Sequence, residues 1–225
     1  MQEITSMSPN GITIGIALLL ISYVMYLAYD RKGVMNKKEL VMLYVLAILM
    51  SLCKIVYVVL ILLYLIIPRE RFGSRRRKVI NLLVILVLSL GVNFIWLGVS
   101  SGYLVEFMPG VNPKEQMIGV LVNPFRYVII IARTICAHGY AWVDNILGMS
   151  LGALCIKMPN IIFLVSFGLS VVLFSQRNEY VSMRKLDRLI FLAVFLIISA
   201  LIFTSLYIQW TPLNNGVIEG IQGRY

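Results

Sequence analysis

The sequence predicts an all-α fold, a polytopic transmembrane helical bundle, and three observations carry that reading. About 60% of the residues are hydrophobic and 13% are charged, against roughly 45–50% and about 25% in soluble globular domains. The apolar residues fall into blocks of 17 to 27, and a bilayer core of about 30 Å takes roughly 20 helical residues to cross. The blocks lack the alternation of barrel strands, so helices are the elements that can satisfy the backbone in lipid. The third observation is charge placement. Twenty Lys and Arg against ten Asp and Glu give a net charge of +10, concentrated in three short loops beside the apolar blocks, as the positive-inside rule requires. The charge therefore reads as a topology signal rather than a nucleic-acid surface.

The first span is expected from Gly11 to Tyr29, followed by a loop with Arg31, Lys32, Lys37 and Lys38. The second block, Val41 to Ile67, is 27 residues long and carries Lys54 near its middle. A single crossing would put its two basic flanks on opposite faces, against the charge rule. Two half-length helices hinged near Ser51 to Lys54 would return both flanks to the cytoplasmic side. Each arm of 12 or 13 residues would reach about 18–20 Å. The alternative is one long tilted helix with Lys54 facing its neighbours. A loop with Arg69, Arg71, Arg75, Arg76, Arg77 and Lys78 precedes the span Val79 to Val99.

Residues 100–158 read as an outer interfacial segment within a single transmembrane domain, 1–225. PKEQMIGVLV starts at Pro113, a residue suited to a first helical position, and stops before Pro124. FRYVIIIARTICAHG follows, with Arg126 and Arg133 seven residues apart and hence on one helical face. Two amphipathic helices lying in the interface fit this pattern, with Tyr127, Tyr140 and Trp142 as anchors. Pro159 to Ser175 and Leu189 to Tyr207 are the remaining spans, separated by a loop with Arg177, Arg184, Lys185 and Arg188. The expectation is about four full spans plus one helical hairpin. With it, fourteen of the twenty cations are cytoplasmic and both termini lie outside. An outside amino terminus leads us to expect a further span upstream.

Candidate site residues are few. Lys54 sits within an apolar block, where a charge costs several kcal/mol and marks a substrate or ion path, unless it snorkels or binds carbonyls. Gln222 and Arg224 lie beside Gly220 and Gly223 in the tail. Arginine suits bidentate phosphate recognition, or it anchors the helix end at the interface. Trp142 with Asp144 could line the outer face, Asp144 serving equally as a helix cap. Glu106, Glu115 and Glu219 are the other acids of the middle and tail, and nothing pairs any of them as a general base. His138 has no partner at ligand spacing, so no metal is expected from these residues. Cys53, Cys136 and Cys155 form neither a CxxC pair nor a metal spacing.

Three stretches together resemble the bacterial membrane proteins grouped as domain of unknown function 2142. They are KIVYVVLILLYLIIPRERFGSRRRK; VNPKEQMIGVLVNPFRYV, leading to GYAWVDNILG; and the terminal WTPLNNGVIEGIQGRY. The resemblance covers Tyr44 to Tyr225. It implies kinship with GT-C-type glycosyltransferases, which use polyprenyl-phosphate-linked sugars at the outer face of the membrane. It further implies a place in the bacterial cytoplasmic membrane, surrounded by membrane lipid, and a role in cell-envelope polysaccharide or wall-polymer modification. Lys54 and Arg224, with Gln222, would meet the lipid-phosphate donor, and Trp142 and Asp144 would line the site. The acidic PDE-type stretch of such proteins has no counterpart here, and their pattern continues past QGRY. The chain is therefore expected to be an internal portion of a longer protein, with the base, and any divalent metal, supplied by that fuller chain. A flippase or transporter of the same lipid-linked sugar is the alternative.

Overall fold

A computed structural model of the chain describes residues 9–100, 110–146, 150–151, 156–157, 159–176 and 183–221. The chain groups into two compact units, Met1–Leu104 with Val181–Ser199, and Val105–Tyr180 with Ala200–Tyr225. The helices are α1 (Pro9–Met25), α2 (Lys37–Cys53), α3 (Arg75–Ser100), α4 (Pro113–Val122), α5 (Pro124–Ile146), α6 (Asn160–Ser175) and α7 (Lys185–Trp210). A π-helical turn, Tyr26–Asp30, prolongs α1, and 3-10 helices run over Ile55–Ile66 and Arg69–Phe72. Two-residue strands, Ser150–Leu151 and Ile156–Lys157, pair antiparallel.

Among the described residues, three helical stretches are long and apolar enough to cross a membrane alone: Gly11–Asp30, Arg75–Val99 and Lys185–Trp210. The chain is thus an integral membrane protein of the expected class. Two elements differ from the sequence expectation. α6 has 16 residues, about 24 Å at 1.5 Å per residue, because Pro159 and Gln176 close it at both ends. It is shorter than a full span. α5 runs on to Ile146, since no proline interrupts AWVDNI and Gly139 alone does not stop a helix. α4 and α5 together pass the length and hydropathy test but bend by 108°, where Pro124 lacks the N–H that would continue α4.

The first unit is organised around the block that carries Lys54. α2 begins at Lys37, earlier than the apolar run, because Asn36 and Glu39 form a capping box in which each side chain bonds the other's backbone N–H. It ends at Cys53, and Lys54 is extended, with φ −157° and ψ 130°. The chain then returns as the 12-residue 3-10 helix. The hydrogen bond from Met35 N to Arg71 O, 2.8 Å, joins the two flanks of the block. The Arg71 guanidinium also donates to Gly33 O at 3.4 Å. The block is a hairpin, and its basic flanks share one end.

The arms are longer than expected, and the helix type explains how they match. Seventeen α residues rise about 25 Å at 1.5 Å each, while twelve 3-10 residues rise about 24 Å at 2.0 Å each. A 3-10 run of this length is uncommon, because side chains at i and i+3 eclipse. Here the columns Leu60–Leu63–Ile66 and Ile61–Tyr64–Ile67 are both buried, while Leu65 of the third column is 41% exposed. A period of three thus serves an arm packed on two sides. Tyr64 donates to Lys78 O at 2.9 Å, and Lys78 Nζ caps the end of the arm through Leu65 O at 2.9 Å and Ile67 O. An apolar gap of about 10 Å³ remains between α1, α2, α3 and this arm, too apolar to hold an ordered water.

Candidate functional site

Two places gather polar groups, one in each unit. In the first, the hinge of the hairpin lies beside α3. Ser51 is fully buried and donates to Ile48 O at 2.8 Å and Ser89 O at 3.4 Å. Asn93 Nδ2 donates to the same Ser89 carbonyl at 2.8 Å, and the buried Ser89 hydroxyl has no hydrogen-bond partner among the described residues. Lys54 follows one turn after Ser51 and is half-buried. Its height above the basic end is an arm's length, about 24–25 Å. That is longer than the roughly 18–20 Å expected of each arm.

The opposite end of the first unit is held by buried charge. Asp187, whose side chain is 1% exposed, accepts from Arg184 Nε at 2.9 Å and Tyr29 OH at 2.6 Å. Arg184 also donates to Ile66 O at 3.2 Å, tying α7 to the returning arm. The hydrogen bond to Asp187 raises the Arg184 pKa above its ordinary value. This network is a latch that fixes the base of the hairpin.

In the second unit the tail folds back on α4 and α5. Leu213 N donates to Gly110 O at 3.1 Å, ahead of α4. Gln116, 3% exposed, donates its Nε2 to Thr211 O, and its buried Oε1 has no partner among the described residues. Thr134 of α5 accepts from Ile218 N at 2.9 Å, and Thr211 Oγ1 accepts from Glu219 N at 3.1 Å. Asn215, closing a turn to Pro212 O, donates to Glu219 Oε1 at 2.6 Å. A Cβ on Gly216 would stand 3.9 Å from the Arg133 guanidinium. Gly220, with φ +80°, is pressed on the Trp210 ring, where a Cβ would lie 2.5 Å from Cδ1. Three hydrogen bonds, to Gly110, Gln116 of α4 and Thr134 of α5, hold the eleven-residue tail, and Gly220 seats it on Trp210.

The predicted site residues divide as follows. Lys54 belongs to the first unit and Trp142 to the second. Trp142 packs edge-on to Phe203 at 5.8 Å and lies 6.5 Å from the His138 ring. Asp144 is in α5, but its side chain lies outside the described residues, as do Glu106, Cys155, Gln222 and Arg224. Glu115 helps cap α4, accepting from Asn112 Nδ2 at 2.9 Å. Cys53 and Cys136 are free thiols. Among the described residues no three His, Cys, Asp or Glu side chains converge as metal ligands. Sequence reasoning missed Gln116, Thr134, Thr211 and the Arg133–Gly216 approach. Gln116, Thr211 and Gly216 had one signal, membership in the stretches on which the family resemblance rests, whereas Arg133 and Thr134 fall between those stretches and had none.

Comparison with known proteins bears on the whole chain. The family model "Predicted membrane protein (DUF2142)" matches residues 1–225. No curated protein and no solved structure matches.

Proposed function

The chain belongs to this DUF2142 family of predicted membrane proteins, and from that premise we propose that it is part of a GT-C-like glycosyltransferase using a polyprenyl-phosphate-linked sugar. One observation carries the reading: the two most specific stretches of the resemblance, about a hundred residues apart, fold onto each other. VNPKEQ meets WTPL through Gly110–Leu213 and Gln116–Thr211. That fold-back builds a polar platform with a guanidinium, Arg133, over a glycine backbone. Phosphate recognition calls for a cationic fork and a backbone that can be approached closely. The clamped tail leads directly into Gln222 and Arg224, which on this reading grip the donor phosphate with Arg133. Trp142 and Asp144 line the sugar side, and Lys54 serves at the hairpin tip.

Binding of a short-chain polyprenyl-phosphate sugar to the detergent-solubilised chain tests this directly. Arg224→Lys keeps the charge and loses the fork, so affinity is expected to fall at least about tenfold, roughly 1.4 kcal/mol, with expression unchanged. Affinity within twofold of the parent refutes the phosphate role. The break at Lys54 supports a second reading, since discontinuous helices build transporter sites. A flippase would carry the lipid-linked sugar across a vesicle bilayer without transferring the sugar, whereas the transferase reading requires no such movement.

A further inference from the structure

One exposed face of α2 carries both charge and apolar surface. Lys37, Lys38, Val41, Met42 and Val45 line a shallow, open groove there. The spacing makes it one stripe: Lys37, Val41 and Val45 are four residues apart along the helix, and Met42 follows Lys38 by four. Val41, Met42 and Val45 are 58%, 46% and 44% exposed. The two lysines therefore stand at one end of a shallow apolar strip that runs away from the basic end.

The charge at that end has no ion-pair partner among the described residues. Three acids there are each taken by an arginine: Glu39 by Arg31 at 2.6 Å, Glu70 by Arg69 at 3.1 Å and Asp187 by Arg184 at 2.9 Å, and the fourth, Asp30, forms no ion pair among the described residues. Neither Lys37 nor Lys38 forms an ion pair among the described residues. Both also sit in the first turn of α2, where the helix dipole disfavours cations. An external anion beside them relieves both terms. With apolar side chains directly below, the complementary molecule has a phosphate at one end and an acyl chain at the other.

We propose that this groove holds one anionic phospholipid, its phosphodiester against Lys37 and Lys38 and one acyl chain along Val41, Met42 and Val45. Such a lipid would brace the hairpin arm that carries Lys54, and the proposal stands independently of the glycosyltransferase reading. The purified full chain in detergent, supplied with phosphatidylglycerol or phosphatidylcholine, is examined by native mass spectrometry. Retention of one phosphatidylglycerol in preference to phosphatidylcholine is expected. The double substitution Lys37→Gln with Lys38→Gln should weaken that retention at least about tenfold, and Val41→Trp, which fills the groove, should do the same. Both leave the Asn36–Glu39 capping box in place, and an unchanged thermal unfolding midpoint without lipid checks the fold. Arg75→Gln with Arg76→Gln, cations of the neighbouring helix, should leave retention within twofold. The proposal is overturned by equal retention of the two lipids or by retention that survives either groove variant. It is also overturned by equal loss in the Arg75/Arg76 control, which would mean a diffuse basic belt. Displacement by millimolar glycerol phosphate would mean a free-anion site, and a lipid-free dimer burying α2 would mean a second copy of the chain.

Discussion

Gly220 faces the Trp210 indole with φ +80° and no room for a side chain, since a Cβ would come within 2.5 Å of the ring. Alanine there meets two costs: the left-handed backbone, about 1–2 kcal/mol for a residue with a Cβ, and a displaced indole. Gly220→Ala should loosen the tail locally. Amide exchange at Ile218 and Glu219, whose N–H groups bond Thr134 and Thr211, is expected to quicken at least about fivefold, in line with a loss near 1 kcal/mol. Unchanged exchange at those amides would mean that the indole simply moves aside. Asp187 shows a different use of a single side chain. It is buried with two donors, and a pair of this kind is costly to break because the remaining charge is left stranded. Nothing in the local sequence RKLDRL distinguishes it from a surface acid. Lys54 was legible for the opposite reason, since one cation in 27 largely apolar residues stands out in the sequence by itself. Gln116 was not legible, because its role depends on Thr211, ninety-five positions away.

At the scale of elements, the hairpin was readable from charge alone, since two basic flanks on one block cannot both stay inside if the block crosses once. The hinge falls at Lys54 as expected, because α2 ends at Cys53. The 3-10 form of the returning arm was not readable: IVYVVLILLYLI offers apolar residues at every period, so neither 3.6 nor 3.0 leaves a mark. Packing chose it, by burying two of three columns. Substitutions along those columns test that choice. Leu63, 1% exposed, lies in a buried column, and Leu65, 41% exposed, lies in the outer one. Leu63→Ala should destabilise the chain by about 2–4 kcal/mol, the range for truncating a buried leucine. Leu65→Ala should cost less than about 1 kcal/mol, as its side chain is only partly covered by the protein. Reversible unfolding in mixed micelles gives both values, and equal costs would rule out the three-residue column. The tail fold-back was legible only as two family-like stretches. Nothing in either one states that Leu213 bonds Gly110.

For the whole molecule, hydrogen bonds make positions far apart in sequence report together, and charge decides which side each group reports. Met35 N to Arg71 O ties the loop before α2 to the loop after the returning arm, so cysteines at Val34 and Ser74 must share one side of the membrane. Leu213 N to Gly110 O ties the tail to the start of α4, so cysteines at Lys114 and Leu213 must likewise agree. The cations around Val34 and Ser74 include Arg31, Lys32, Lys37, Lys38 and Arg75 to Lys78, and the positive-inside rule assigns that side to the cytoplasm. The second unit's described helices carry few cations, Lys114, Arg126 and Arg133 among them, which favours the outer side. In a background with Cys53, Cys136 and Cys155 replaced, an impermeant thiol reagent on intact cells should label Lys114→Cys and Leu213→Cys. Val34→Cys and Ser74→Cys should react only after the membrane is opened. Val34 is 55% exposed and Leu213 37%, so protection at either would reflect the membrane rather than burial in the protein. Disagreement between Val34 and Ser74 would sink the hairpin, because a single crossing would part the residues that Met35 and Arg71 join. Agreement within both pairs but on the same side would leave the hairpin standing and remove the outer placement of the platform, and with it the access of a lipid-linked donor from that face.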